Sequence, residues 1–180
     1  PASATQEELA FASCPGTVIE LCVENDSDEE WELFFAHHGT TPWMPMEGRH
    51  GLKGASTQGR MGFASVDPDV EEFIDFSVDK ALGRTHTNTT FLLAPVAGLA
   101  ARVAPGTTRV VRIAVGYYLG GTVTFNYPTA YWYNRYFNEL DEVLSYTLKQ
   151  AERSISIAKQ RDAELASSGL NADQQFLLAH

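Results

Sequence analysis

Cysteine and long apolar segments are both scarce in this sequence. Only Cys14 and Cys22 occur among its 180 residues, far fewer than the disulfide scaffold of a small secreted domain requires. No run approaches the roughly 18 apolar residues of a membrane span, and no basic-then-apolar secretion signal is visible. These absences favour a reduced, cytoplasmic setting without membrane contact.

Basic residues are also few in this sequence. Lys and Arg number 13 against 23 Asp and Glu, which gives a formal net charge of -10. A chain this acidic repels phosphate backbones and anionic lipids, so nucleic acid is not an expected partner. Ordinary solubility explains the charge. Neutral polyols such as sugars are compatible with it, without being implied by it.

The sequence also lacks the patterns that hold metals and cofactors. No two histidines stand four residues apart as on a zinc-binding helix, and no basic residue follows Gly120-Gly121 to complete a phosphate loop. The acidic residues between Asp26 and Glu30 are typical of a solvated turn, and calcium binding is the less favoured interpretation. We therefore predict no metal site and no cofactor. The histidines considered are His37, His38, His50, His86 and His180.

Catalytic side chains are equally hard to find. No cysteine or serine has the Gly-flanked context of a nucleophile elbow. The carboxylates of a glycosidase must face one another across a sugar, and no such pair stands out. Four acidic residues lie on or beside the polar side of a predicted helix, where charge is expected by default: Glu139, Asp141, Glu142 and Glu152. The residues alone assign no catalytic or substrate-binding group.

Residues 1–125 have the alternating polarity of β-strands. Ile19, Leu21 and Val23 share one face of a first strand. Turn chemistry follows at Asn25, and alternation resumes at Trp31, which predicts a hairpin. Further strands are predicted around Met61 and Phe63; Ile74, Phe76 and Val78, with Asp75 facing solvent; Leu99, Ala101 and Val103; and Val111, Ile113, Val115 and Tyr117. Short strands joined by turns predict an antiparallel β-sandwich.

Residues 40–59 interrupt this pattern. They are rich in proline and glycine, which predicts a long loop rather than regular structure. Long ordered loops are usually functional or cover a neighbouring domain.

Beyond Pro128 the apolar residues recur at three- and four-residue steps, as in an amphipathic helix. Pro128 suits a first turn and Gly169 suits a stop, so one long helix is predicted from Pro128 to about Ala166. Asn171 then has the character of an N-cap and predicts the start of another helix.

Aromatic residues crowd the junction between the last strand and this helix. They are Tyr117, Tyr118, Phe125, Tyr127, Tyr131, Trp132, Tyr133, Tyr136 and Phe137. Such rings could stack on sugars, but packing a helix onto a sheet is their ordinary role and the favoured interpretation. We expect one or two tyrosines to remain polar and free, and the helical segment from Trp132 to Leu144 to pack on the sandwich.

Several stretches resemble glycoside hydrolase family 52, the β-xylosidases. The late ones are residues 116–124 (GYYLGGTVT), 131–137 (YWYNRYF) and 173–180 (DQQFLLAH). Residues 18–21 (VIEL) and 58–62 (QGRMG) are similar to earlier parts of the same domain. The resemblance runs over nearly the whole chain, in the order of the family.

This resemblance implies a mainly β fold with C-terminal helices. It is an antiparallel β-sandwich followed by a long linker helix and the start of a truncated helical (α/α)6 barrel. The implied divisions are residues 1–125 for part of the N-terminal sandwich, 126–169 for the linker and 170–180 for the start of the catalytic barrel. The chain opens without Met and stops at His180 inside an apolar helix, so we expect a fragment.

The resemblance also implies a retaining glycosidase that acts on xylo-oligosaccharides, with two carboxylates about 5–5.5 Å apart. Both family carboxylates lie in the barrel, beyond the position matching His180, so no catalytic residue is carried over to this sequence. A related sandwich-plus-barrel glucosidase would differ only in substrate. The alternative is a non-catalytic sandwich module that binds carbohydrate or a partner protein. Homo-oligomerisation is left open.

Overall fold

The computed structural model describes residues 3–83, 93–121 and 129–179, which form a β-rich mixed fold. The described residues contain eight strands and five α-helices. In chain order these are α1 Gln6–Ser13, β1 Gly16–Glu24, β2 Trp31–His38, β3 Met44–Pro45, β4 Lys53–Thr57, β5 Met61–Ser65, β6 Val70–Asp75, α2 Val78–Leu82, β7 Val96–Val103, β8 Thr108–Tyr117, α3 Leu140–Lys149, α4 Ala151–Ala166 and α5 Ala172–Ala179. Short 3-10 turns lie at Arg49–Gly51 and Trp132–Arg135. The chain divides into two compact units, residues 1–148 and 149–180.

The strands of the first unit form two antiparallel sheets. One has the order β1-β8-β5-β4-β3 and the other the order β2-β7-β6. Their facing sides share one core, in which Phe63 and Ile113 of the first sheet meet Ile74 and Leu99 of the second. The predicted antiparallel sandwich is therefore confirmed for the described strands.

The predicted hairpin between the first two strands is wrong. β1 pairs with β8, whereas β2 pairs with β7 in the other sheet. Asn25 explains the crossing, because its side chain is buried and its amide donates to the carbonyl oxygens of Glu29 and Val103 at 2.8 and 3.1 Å. The turn thus carries the chain from one sheet to the other. Alternating polarity identifies the faces of a strand but not its partner.

The strand around Ile74 ends earlier than predicted. Phe76 and Val78 lie beyond β6 and are exposed, whereas Asp75, expected in solvent, is buried. Asp75 shares a face of the sheet with Phe73, which packs there against buried Val96. The outer face of this sheet is covered at this point, so the alternation rule assigned Asp75 to the wrong environment.

The prediction of a long loop for residues 40–59 is also wrong. β3, a 3-10 turn and β4 lie within this range, and β4 pairs along its length with β5. A Cβ atom at Gly54 would overlap the Phe63 carbonyl oxygen, so this glycine allows two strands to approach closely. Gly48 and Gly51 do have turn conformations, with φ of 72° and 73°.

Helix α1 was not expected, because residues 1–125 were predicted to contain only strands and loops. Thr5 caps it: Thr5 Oγ1 accepts from the Glu8 N–H at 3.2 Å, and Glu8 Oε2 accepts from the Thr5 N–H at 2.7 Å. This reciprocal pair is a capping box. The Thr-x-x-Glu pattern in the sequence is the signal that could have revealed the helix.

The predicted single helix from Pro128 to Ala166 is wrong. Pro128 lies outside the described residues, and α3 begins at Leu140, ends at Lys149 and is followed by a separate α4. The Asn138 N–H donates to Glu142 Oε2 at 2.8 Å, which marks a fresh helix start. The predicted N-cap at Asn171 is confirmed, since its Oδ1 accepts from the Gln174 N–H at 3.0 Å.

Candidate functional site

Three glycines form a row across the outer face of the five-stranded sheet. Gly16 of β1 lies opposite Gly116 of β8, which in turn lies opposite Gly62 of β5. A Cβ atom on any of them would crowd a side chain of α3. The side chains concerned are Thr147 at Gly16, Leu144 at Gly116 and Leu140 at Gly62. Glycine is needed along this row because the helix lies directly on the backbone.

The face of α3 that meets this row is buried. It carries Leu140, Val143, Leu144, Ser145 and Thr147, the spacing of one helical stripe. Leu144 is fully buried and belongs to a cluster with Leu52, Ala64 and Ala114. Burial of such a leucine contributes about 1.5–3 kcal/mol. The prediction that the segment from Trp132 to Leu144 packs on the sandwich is confirmed for Leu140–Leu144, whereas Trp132 is 49% exposed.

Contacts of Tyr133 connect the segment between β8 and α3 to the residues that follow β8. Its hydroxyl oxygen accepts from the Leu119 N–H at 3.0 Å, and the Asn134 amide donates to the Leu119 carbonyl at 3.1 Å. The Tyr133 ring is buried and meets the Tyr118 ring edge to face, with centroids 5.9 Å apart. Part of the aromatic cluster therefore packs the junction, as the sequence indicates.

Three other rings of the junction remain open to solvent. Tyr117, Tyr131 and Trp132 are 54%, 40% and 49% exposed. The Tyr131 ring stacks on Tyr133 with centroids 5.3 Å apart and planes 8° apart. The Arg135 guanidinium carbon lies 4.0 Å from the Trp132 ring centroid, a cation–π contact. Two tyrosines are thus exposed, as expected. Phe125 and Tyr127 lie outside the described residues.

The pKa of the Tyr133 hydroxyl depends on its surroundings. Burial raises the pKa of the Tyr133 hydroxyl above its ordinary value, and the Leu119 backbone hydrogen bond lowers it in part. Tyr131, Tyr117 and Tyr118 add further upward shifts to this pKa.

A cleft of about 970 Å³ lies at the beginning of β8, away from the aromatic junction. Its charged lining consists of Glu30, Glu32, Lys53, Asp67, Asp69, Glu71, Arg102 and Arg109. Arg109 pairs with Asp67 at 2.9 Å, and Lys53 Nζ donates to the Pro68 carbonyl at 2.6 Å. The described lining includes no aromatic ring. The cleft therefore offers polar contacts but no stacking surface.

Three of the four acidic residues considered in the sequence lie together at the start of α3. Glu139 precedes α3, Asp141 and Glu142 lie in its first turn, and Glu152 lies in α4. Glu139 pairs with Arg49 at 3.1 Å, and Glu142 accepts from the Asn138 N–H. Glu139 and Glu142 thus have local structural roles.

The described histidines lie at two places in the fold. His37 and His38 end β2, His50 lies in a 3-10 turn, and His86 and His180 lie outside the described residues. Across residues 3–83, 93–121 and 129–179, no three His, Cys, Asp or Glu side chains are grouped so that they could hold a metal ion. The helices within those ranges are too short or too polar to cross a membrane.

We expect Tyr133→Phe to lower the free energy of unfolding by about 1 kcal/mol, because the Leu119 N–H loses its acceptor. Denaturant unfolding followed by circular dichroism measures the change. Tyr131→Phe is the matched control, because this neighbouring ring is half exposed and its hydroxyl can be solvated. Equal losses in the two variants would contradict the role given to the Tyr133 hydroxyl.

The features described so far define a class of chain: a β-sandwich that carries a helix on one sheet and an aromatic junction between them. The profile of Glycosyl hydrolase family 52 matches residues 1–180, and the chain belongs to this family. The resemblance seen in the late motifs is thereby confirmed.

Two proteins named beta-xylosidase, both from Geobacillus stearothermophilus, are similar to the chain. One is 31% identical over 187 residues and the other 27% identical over 190 residues. Each alignment covers all of this chain, but only 26% and 30% of the respective relative. The chain thus spans less than a third of the length of the curated relatives it matches.

Proposed function

We propose that this chain is the sandwich and linker portion of a retaining β-xylosidase, which releases xylose from xylo-oligosaccharides. The observation that carries the proposal is the family match, because it extends over residues 1–180 and through both compact units. The two relatives named beta-xylosidase support the choice of xylosides as substrates.

In this proposal the bond-breaking groups lie outside residues 1–180. Retaining hydrolysis requires two carboxylates about 5–5.5 Å apart, one a nucleophile and the other an acid/base. Glu139 and Glu142 are instead engaged by Arg49 and the Asn138 backbone. We assign no catalytic residue to this chain.

The proposed divisions follow the same reasoning. Residues 1–125 form part of the sandwich, residues 126–169 the linker, and residues 170–180 the start of an (α/α)6 barrel. A cytoplasmic location belongs to the proposal as well, and the unpaired thiols of Cys14 and Cys22 suit a reducing compartment.

A non-catalytic module that binds carbohydrate or a partner protein is the second candidate. The exposed rings of Tyr117, Tyr131 and Trp132 favour it, because tyrosine and tryptophan are enriched at binding interfaces. A module of this kind would bind without hydrolysis, which separates the two functions experimentally.

We expect the full-length protein to hydrolyse an aryl β-xyloside with retention of anomeric configuration, and residues 1–180 alone to show no turnover. Proton NMR of the first product resolves the configuration. Glu139→Gln and Glu142→Gln in the full-length protein are controls that should retain hydrolysis, because neither carboxylate is assigned to the chemistry. Turnover by residues 1–180 that a substitution within them abolishes would refute the proposed division, and an inverted product would refute the retaining mechanism.

A further inference from the structure

We propose that residues 66–69, which cross from β5 in one sheet to β6 in the other, form a strap that is held closed by two cations and opens locally when their contacts are lost. We call this segment the strap. The two cations are Lys53 of β4 and Arg109 of β8. The inference does not depend on the proposed function.

Apolar packing contributes little to holding the strap. Val66 is 50% exposed, and Pro68 and Asp69 are exposed as well. The apolar clusters formed by the described residues include no residue of the strap. The residues on either side of it, Ser65 and Val70, are buried in the sandwich. The strap is therefore anchored at its two ends, and polar contacts hold the residues between them.

Lys53 attaches the strap and the start of β6 to the opposite sheet. Its Nζ atom donates to the Pro68 carbonyl oxygen at 2.6 Å and to the Val70 carbonyl oxygen at 3.0 Å. Lys53 belongs to the five-stranded sheet, whereas Val70 begins β6 of the three-stranded sheet. Hydrogen bonds from an ionised donor are roughly twice as strong as neutral ones. One ammonium group thus links the two sheets where the strap crosses between them.

Arg109 holds the acidic side chains of the strap. Its guanidinium lies 2.9 Å from the Asp67 carboxylate and 3.8 Å from the Asp69 carboxylate. The cleft that these side chains line also contains the carboxylates of Glu30 and Glu71. Without the cation, the two aspartates of the strap would be repelled by these like charges. Loss of Arg109 therefore removes an attraction and leaves a repulsion, and both changes favour an open strap.

Hydrogen bonds within the strap preserve its own shape. The Asp67 N–H donates to Ser65 Oγ at 3.2 Å, and the Asp69 N–H donates to Asp67 Oδ1 at 2.9 Å. The Val70 N–H donates to the Asp67 carbonyl at 3.2 Å. These bonds do not attach the strap to β4 or β8, so they can persist when it lifts. Segments with few buried apolar contacts open at a lower free energy than the core does.

Opening of the strap changes the charged cleft. Asp67, Pro68 and Asp69 form part of its lining, together with Lys53 and Arg109. When the strap lies closed, its carbonyl and carboxylate oxygens occupy both cations. When it opens, the cations lose these partners and face the cleft. The charge presented in this concavity therefore depends on the position of the strap.

Hydrogen–deuterium exchange of the full-length protein, followed by mass spectrometry, tests the strap. We expect Lys53→Met and Arg109→Met each to accelerate exchange in peptides that span residues 66–70 about tenfold, the effect of losing a charged hydrogen bond. Exchange in α3 should not change. Arg49→Met is the matched control, because Arg49 likewise contacts two carboxylates, Glu47 and Glu139, at 3.0 and 3.1 Å. It should leave exchange in the strap as in the wild type.

A second readout separates a charge contact from a packing contact. Raising sodium chloride from about 0.01 M to about 1 M shortens the Debye length from roughly 30 Å to roughly 3 Å. We expect faster exchange in the strap of the wild type at the higher salt concentration, relative to α3 in the same sample. Arg109→Met and Lys53→Met should reduce this dependence on salt.

Exchange in the strap that neither salt nor the two substitutions accelerate would overturn the proposal. An equal acceleration in Arg49→Met would overturn it too, because the effect would follow from the loss of any arginine or lysine. If one variant accelerated exchange throughout β7 and α3, it would be unfolding globally, and the other variant would decide. If both variants did so, the strap would not open separately from the sandwich, and the proposal would be wrong.

Discussion

Leu144→Ala should lower the free energy of unfolding by about 2–5 kcal/mol. Leu144 is fully buried between α3 and the sheet, where it contacts the small side chains of Ala64 and Ala114. Small neighbours cannot expand to refill the space, so the loss includes a cavity term as well as the lost burial. Urea unfolding at equilibrium measures the change.

Leu93→Ala is the matched control for this substitution. Leu93 lies in the same compact unit but is exposed, and its truncation should change the free energy of unfolding by less than about 0.5 kcal/mol. Similar effects at both positions would show that α3 does not rest on the sheet as described.

Gly16→Ala should destabilise the protein by about 1–3 kcal/mol, because the new methyl group overpacks the contact between β1 and α3. The new Cβ atom would overlap the Thr147 hydroxyl. Because Gly16 lies in β1 and Thr147 in α3, neither residue can move away without shifting its strand or helix. Thr17→Ala, at the next and exposed position of β1, should have little effect. The midpoint of thermal unfolding provides a second readout.

A double substitution tests whether Thr147 is the cause. Thr147→Ala removes the overlapping oxygen but also its hydrogen bond to the Val143 carbonyl at 2.8 Å. We expect the double variant to be more stable than the sum of the two single losses indicates, because neighbouring substitutions couple. Strict additivity would show that Gly16 is constrained by something other than this helix.

The sequence predicts much of the sandwich, because apolar residues at alternate positions mark β5, β7 and β8, although both faces of β5 and β7 are largely buried. The environment of a single residue is mispredicted where the outer face of the sheet is covered as well. Asp75 looks like a solvent residue by its period, yet it lies beside Phe73 on a covered face. The hairpin between β1 and β2 failed for a related reason, since alternation contains no information about which strand pairs with which.

The candidate site was predictable in part. The aromatic composition of the junction is visible in the sequence, and so is its packing role. Which rings remain exposed depends on the register of Tyr133 with Leu119, and no local pattern reports that contact. The glycine row is even harder to predict from the sequence, because Gly16, Gly62 and Gly116 become neighbours only when three strands pair.

The contact between α3 and the glycine row also involves an edge strand of the sheet. β1 is one of the two edge strands of its sheet among the described residues, and an open strand edge is a template for pairing with another chain. Thr147 packs against Gly16 at the beginning of this strand. The Thr147 hydroxyl also lies 3.5 Å from the Sγ atom of Cys14, which precedes the strand. This contact with α3 therefore holds the start of the edge strand against its own sheet.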